Sequence, residues 1–466
     1  MSDVVSLNPT LFREYDIRGV VGESHITPEF ARLVGQAYGT RVRLADGETI
    51  CVARDGRLSS PSLISPLVEG LRATGLHVFD AGLGPTPYAH FASRMLGAHA
   101  MIMVTGSHNP GDQNGFKMSL HHKPFWGEDV LELHTRITKG DFIHGAGSYE
   151  EAPCHGAYVD FLIDDFMAHY PKARELRIAW DPGNGASGEI VEALVARLPG
   201  THFVINSPID GHFPAHHPDP TVAKNLTQLQ ELVAKESCDL GFAFDGDGDR
   251  IGAVDATGKI LWGDDMMELY AAEVLKEHPG VPIIADVKAS QALFDTIARL
   301  GGEPIMWKTG HSLIKSKMQE SGALLAGELS GHIFFADRYF GYDDALYAAL
   351  RLLGICATTK RTLAHWNATR PPRFATPELR FTCQELNRFD VVARIAQKVR
   401  AKGLDMSDLD GVRVKSEQGW WLLRASNTQD VLVARAEGRT AAHLQALIQE
   451  LAHFLKEEGL ALDASA

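Results

Sequence analysis

Three carboxylates at alternating positions, separated by glycines, follow an apolar run in LGFAF-DGDGDR and place Asp245, Asp247 and Asp249 in one short loop. Glycine lets such a backbone curl until three oxygens converge, and like charges packed that closely repel unless a cation lies between them. An EF-hand loop needs Gly at its sixth position and Glu at its twelfth; Arg250 and Ala256 stand there. An all-oxygen site of this size suits Mg²⁺. A second loop, TGSHNP, follows the run AMIMV and holds Ser107 clear of a strand end. Alone, such a string is equally a turn or a helix cap. No GxSxG elbow surrounds it and no acid partner for a hydrolase triad is evident. The reading that unites both loops makes Ser107 a phosphoryl carrier and metal ligand beside the aspartates, with Lys117 of NGFK reaching the same edge.

A third loop, GELSGH, offers Glu328 and Ser330, short polar groups suited to adjacent sugar hydroxyls. Anion binders complete the set: Arg13 and Arg18 in FREYDIRG, Arg250 beside the carboxylates, Lys288, and His311 in KTGHS. RASNT (Arg424, Ser426, Asn427, Thr428) has the composition of a phosphate cradle, with Arg able to make paired charge-assisted bonds. A polar hairpin turn is the competing reading of that string. Trp420 and Trp421 read as packing, and the pairs His121-His122 and His216-His217 as surface loops.

These loops need scaffolds. Three times the chain shows an apolar run ending in Asp: TICVARD, LRIAWD and VPIIAD. Each is followed by a helical stretch, a second apolar run, and a third run that ends in one of the distinctive loops. Such spacing implies parallel βαβ units, whose ligands lie outside the carboxyl ends of the strands. Amphipathic spacing predicts helices at 61–73 and 187–198. Past RPPRFATPE the pattern becomes strand, helix, a pair of strands and a last helix, an α+β domain hinged as a lid or clamp. The expected fold class is α/β: three similar domains with mixed, mostly parallel sheets around a central cleft, at 1–153, 154–255 and 256–368. The C-terminal α+β domain then takes 369–466.

Composition narrows the function. The chain has 466 residues and a formal net charge of -14, so its average surface repels nucleic acid and anionic membrane. An anionic substrate therefore needs a local cluster of cations. No apolar stretch approaches the roughly 18 residues of a membrane span. The start lacks a basic segment followed by an apolar run, and five scattered cysteines without a CxxC pair read as reduced thiols. A cytoplasmic location and a monomeric state are expected.

FREYDIRG, TGSHNP, DGDGDR, GELSGH and RASNT, in this order and over nearly the whole chain, resemble the α-D-phosphohexomutases, and within them the bacterial phosphomannomutase/phosphoglucomutase branch. The resemblance implies reversible movement of phosphate between O1 and O6 of mannose and glucose phosphates. It also implies a phosphoserine at Ser107, Mg²⁺ on Ser107, Asp245, Asp247 and Asp249, and a hexose 1,6-bisphosphate primer. Glu328 and Ser330 would hold O3 and O4, with His332 near the reacting end. Tyr15, Lys288, His311, Arg424, Ser426, Asn427 and Thr428 would bind substrate, and Arg424 to Thr428 its distal phosphate. Arg18, Lys117 and Arg250 belong near the phosphoserine, and Arg18, Lys117 and His332 are candidates for proton handling. Phosphoglucosamine mutases tend to carry Gln where Leu329 stands, which makes them the alternative within the class; a metal-dependent sugar phosphatase is the alternative outside it. One departure stands out: Gln429-Asp430 follow RASNT where Pro is usual one residue on, which weakens phosphate binding unless Asp430 turns outward.

Overall fold

The computed structural model describes residues 7–22, 25–383, 386–427 and 430–462, so Thr428 of the expected cradle lies outside the described residues. In each of the first three units the first apolar run is the central strand and the second and third runs flank it in parallel. The strands are Thr49–Arg54 between His77–Leu83 and Ala100–Val104 in the first unit, and Arg177–Asp181 between Thr201–Val204 and Leu240–Phe244 in the second. In the third, Pro282–Asp286 lies between Glu303–Trp307 and Leu325–Gly327.

A fourth strand, absent from the sequence reading, runs antiparallel beside the third run of every unit: Gln113–Leu120, Ile251–Asp255 and Ile333–Phe335. It begins just past each distinctive loop, so the loop is a hairpin-like return pinned on both sides. In the first unit it carries Lys117 in register with Met103.

The connecting helices form where the apolar spacing requires. Ser60–Arg72 buries Leu63, Ile64, Leu67 and Leu71 along one face. Gly188–Val195 is shorter than its apolar pattern, which continues through the buried Leu198 until Pro199-Gly200 turns the chain. One continuous apolar core runs from Cys51 and Tyr88 of the first unit through Trp180 and Phe242 of the second to Ile283 and Phe335 of the third. Among the described residues the five cysteines are free, four of them buried and Cys154 half-buried.

The last unit has its own core. The string VRVKSEQGWWLLRAS is itself a hairpin, Val412–Ser416 against Gly419–Ala425, so with Leu432–Gly438 it contributes three antiparallel strands where the sequence suggested two. Alternation along Gly419–Ala425 splits its side chains. Trp421 and Leu423 join the core under helices Arg388–Ala401 and Ala441–Glu457, while Trp420 and Leu422 meet Val287 of the third unit. Trp420 does pack, but against charge: the Arg413 guanidinium lies 3.9 Å from its ring centre. Arg413 also donates to the carbonyl of Val287 (2.8 Å), tying the fourth sheet to the third unit. No helix among the described residues is long and apolar enough to cross a membrane.

Candidate active site

Ser107 follows Ala100–Val104 with φ of 50°, in the left-handed region that costs a non-glycine residue about 1 kcal/mol. A buried guanidinium offsets that cost. Arg57 donates to the carbonyls of Ser107 (2.6 Å), Asn109 (2.7 Å), Pro110 (2.6 Å) and Gln113 (3.0 Å), holding the loop by its backbone. Asp55, the Asp that ends the first run, accepts from Thr105 Oγ1 (2.7 Å) and the Gly106 amide (3.2 Å). Held in this way, Ser107 Oγ donates to Asp245 Oδ2 at 2.9 Å.

The aspartate loop lies against this serine. Gly246 makes the approach possible, since a Cβ there would come within 2.5 Å of the Ser107 carbonyl oxygen. Asp245, Asp247 and Asp249 are fully buried, and one carboxylate oxygen of each lies within 4.8 Å of the others. Asp245 Oδ1 accepts from the amides of Asp249 (3.0 Å) and Arg250 (3.1 Å). Asp247 Oδ2 accepts from Thr86 (2.5 Å), Thr105 (3.1 Å) and Lys117 Nζ (2.7 Å), and Asp249 Oδ2 from Lys117 (2.5 Å). Asp247 Oδ1 and Asp249 Oδ1 are buried and, among the described residues, accept no hydrogen bond. Two orphaned anionic oxygens beside a third carboxylate and a hydroxyl fit a divalent metal.

The electrostatics agree. Burial and the neighbouring Asp249 and Asp247 push the Asp245 carboxyl well above its usual range. Burial also pushes Asp247 upward, but the Lys117 ammonium and the Thr86 hydroxyl outweigh it and hold that carboxyl low. Burial disfavours the Lys117 ammonium, yet Asp247 and Asp249 more than compensate and keep it protonated.

Arg250 links this cluster to the third loop by donating from Nε to His332 Nε2 at 2.9 Å. The other ring nitrogen of His332 lies 3.0 Å from Asp343, whose second oxygen accepts from Lys315 (3.0 Å). Glu328 accepts from the Gly310 amide (3.0 Å) and from Ser330 Oγ (3.0 Å). Gly331, at φ of 89°, passes so near the Ile251 carbonyl that a Cβ would lie 2.3 Å from it. Asp286 holds this loop as Asp55 holds the serine loop, accepting from the Leu329 amide (3.1 Å). The half-buried His311 ring lies 5.6 Å from that of His332, and desolvation together with Lys315 holds its imidazole neutral.

The remaining cations divide. Arg18 donates to Asn109 (3.1 Å) of the serine loop and to Asp16 (2.5 Å). Lys288 pairs with Glu378 (3.0 Å), and Arg424 donates to Asp410 (3.0 Å), so both sit on carboxylates. Tyr15 accepts from Asn427 (2.7 Å) and donates to the Thr309 carbonyl (2.9 Å), joining the first, third and fourth units. Arg13, His108, Asn109 and Asn427 line a cleft of about 1020 Å³ between the units. Asp430 lines the same cleft, with its side chain 83% exposed and paired with Arg388 at 2.6 Å. His216 departs from the sequence reading, with its ring half-buried against Asp181 at 2.9 Å.

Sequence reasoning assigned no role to Arg57, Thr86, Lys315 or Asp343. It saw Asp55 and Asp286 only as ends of repeated runs, and that recurrence was the available signal.

Three α/β units of one plan, a fourth packed on the third, and a serine against an aspartate trio define a phosphohexomutase, an isomerase. Comparison with known proteins agrees. Models described as phosphoglucomutase/phosphomannomutase, alpha/beta/alpha domains I, II and III, match residues 9–144, 156–258 and 262–374, and the C-terminal domain model matches 378–454. The chain is 43% identical over 441 residues to a phosphomannomutase/phosphoglucomutase of Pseudomonas aeruginosa, covering 94% of each chain. It is 38% identical to a phosphoglucomutase of Neisseria gonorrhoeae, covering 95% of this chain and 96% of that one. A crystal structure of a phosphoglucomutase/phosphomannomutase family protein from Burkholderia thailandensis superposes with a TM-score of 0.91 at 39% identity, over 98% of this chain and 99% of that one. The chain belongs to the phosphoglucomutase/phosphomannomutase family of the α-D-phosphohexomutase superfamily.

Proposed function

We propose that this enzyme interconverts the 1- and 6-phosphates of glucose and mannose through a phosphorylated Ser107 and a hexose 1,6-bisphosphate. The observation that carries the reading is Ser107 Oγ, 2.9 Å from one carboxylate of a buried trio that Lys117 partly neutralises. Asp245, Asp247, Asp249 and Ser107 would hold Mg²⁺, which when bound supplies positive charge against the phosphoryl group.

The sugar hydroxyl attacks phosphorus as the bond to Ser107 Oγ breaks. Of the three groups expected to handle protons, the His332 imidazole takes the hydroxyl proton, because the Arg18 guanidinium and the Lys117 ammonium have no lone pair to receive it, and the departing Ser107 oxygen takes a proton from the Lys117 ammonium. Phosphoryl transfer asks mainly for positioning and charge stabilisation. Arg250 and Lys117 provide the charge near the serine, and Glu328 and Ser330 grip O3 and O4 alike in both orientations of the intermediate. Tyr15, Lys288, His311, Arg424, Ser426 and Asn427, with Thr428, bind the substrate, the last-domain residues its distal phosphate. The intermediate turns round and returns its other phosphate to Ser107. Closure of the fourth domain excludes water, which would otherwise hydrolyse the phosphoserine. We read the domains as 1–153, 154–255, 256–368 and 369–466, the enzyme as a cytoplasmic monomer, and its ligands as hexose phosphates.

Ser107→Ala should abolish isomerisation while leaving hexose-phosphate binding, and the wild-type intact mass should carry one phosphate that the variant lacks. Mutase turnover should require or be accelerated by glucose 1,6-bisphosphate. Inorganic phosphate as the main product would make the enzyme a phosphatase, and full turnover by the variant would remove the phosphoserine.

A further inference from the structure

The hairpin joining Gly419–Ala425 to Leu432–Gly438 ends its strand pairing at Ala425 and Leu432, and a backbone bond from the Ser426 amide to the Val431 carbonyl (3.0 Å) extends it. Among the described residues, the strand pairing does not reach the segment that carries Asn427. A guanidinium meets it from a neighbouring element. Arg388 is the first residue of Arg388–Ala401, a helix start fixed by the Asn387 side chain, which accepts from the Phe389 amide at 2.9 Å. From that base Arg388 Nε donates to the Ser426 carbonyl (2.9 Å) and Nη1 to Asp430 Oδ1 (2.6 Å), and its plane lies 4.7 Å from the Phe389 ring centre. One side chain thus brackets the loop on both sides of Asn427.

We infer that Arg388 is a positioning residue for the phosphate-binding loop, clamping it through Ser426 and neutralising the Asp430 carboxylate at the edge of the cleft that receives the anion. The inference rests on the proposed reading of Arg424 to Thr428 as the distal-phosphate cradle. Two consequences follow from the geometry. The Ser426 bond fixes the approach to Asn427, whose amide bridges to Tyr15 across the cleft. The Asp430 contact neutralises a carboxylate that lines the same cleft as Asn427 and would repel phosphate if it swung inward. An ion pair this exposed adds little stability by itself. Its effect falls on substrate binding, where a charge-assisted bond to the loop backbone and the removal of a misplaced charge act together.

The test is steady-state kinetics with glucose 1-phosphate, alongside thermal melts, for wild type, Arg388→Ala, Arg388→Lys, Asp430→Asn, the Arg388→Ala/Asp430→Asn double variant and Arg424→Ala. Arg388→Ala should raise KM about tenfold with kcat within about twofold of wild type. Arg388→Lys should fall between the two, since an ammonium cannot make both bonds in the same geometry. Asp430→Asn alone should change KM by less than about threefold, and in the Arg388→Ala background it should recover part of the lost affinity because the unpaired carboxylate is gone. Wild-type KM in Arg388→Ala, with KM raised in Arg424→Ala, overturns the clamp and leaves the cradle. Unchanged KM in both overturns cradle and clamp together. A fall in kcat and melting temperature with no recovery in the double variant reduces Arg388 to a structural role and also overturns the inference.

Discussion

At Ser107 a residue with a side chain accepts a backbone angle that glycine would adopt freely, and a buried arginine bonded to four carbonyls keeps it there. The identities of Ser107 and the aspartates are legible in the sequence because the chemistry demands those side chains. Arg57 is not legible, because it works on backbone oxygens that every residue type carries. Gly246 belongs to the same argument: it is needed for what it lacks, and only the 2.5 Å approach to the Ser107 carbonyl reveals it. Gly246→Ala should push the two loops apart and lower kcat by about 100-fold, the scale expected of a misplacement near 1 Å. Near-normal melting would locate the loss in alignment. Steady-state assays paired with a thermal melt check this, and a kcat within about threefold of wild type would refute it.

Among elements, the parallel strands could be read because each is an apolar run that stops at Asp or a glycine-marked loop. The antiparallel fourth strands could not. Gln113–Leu120 reads QNGFKMSL, whose polar and glycine residues look like loop until the pairing with Ala100–Val104 is seen. A buried helix start gives the pH test at this scale. Asp344 caps Ala345–Thr358 by accepting from the Tyr347 amide (2.9 Å) and also accepts from the Tyr158 and Tyr339 hydroxyls. Burial outweighs those bonds and raises its carboxyl from 3.8 to about 6. The folded state therefore holds the proton more tightly than the unfolded chain. The associated stability is complete below about pH 3.8 and is lost as pH rises towards 6. Asp344→Asn should remove a pH-dependent contribution of about 3 kcal/mol across that window. Denaturant titrations from pH 4 to 7 would show it; parallel pH profiles for the two proteins would argue against it.

Over the whole molecule, the core explains which parts move together. The first three units share one apolar interior, whereas the fourth meets the third through Trp420, Leu422 and Val287 and through arginines. The sequence announced a separate last domain by its prolines and its change of pattern. It could not show that the linker is pinned, with Arg370 and Arg373 each paired to Asp265 at 2.7 Å. Calorimetry should resolve two transitions, one for the three-unit body and one for the fourth. Trp420→Ala should lower the fourth domain's transition, by an amount corresponding to about 3 kcal/mol, and leave the other in place. A single cooperative transition shifting as a whole would count against independent units.

A part that owns its interior can be exchanged as a cassette. Arg388 and Asp430 lie on that same part, so a chimera carrying the final quarter of a related enzyme would import its loop geometry ready-made and have to match the contact patch around Val287, the Lys288–Glu378 and Asp264–Arg435 pairs and the Tyr15 handshake. Drift in that quarter therefore offers evolution a route to retune substrate preference while the serine-bearing body stays untouched.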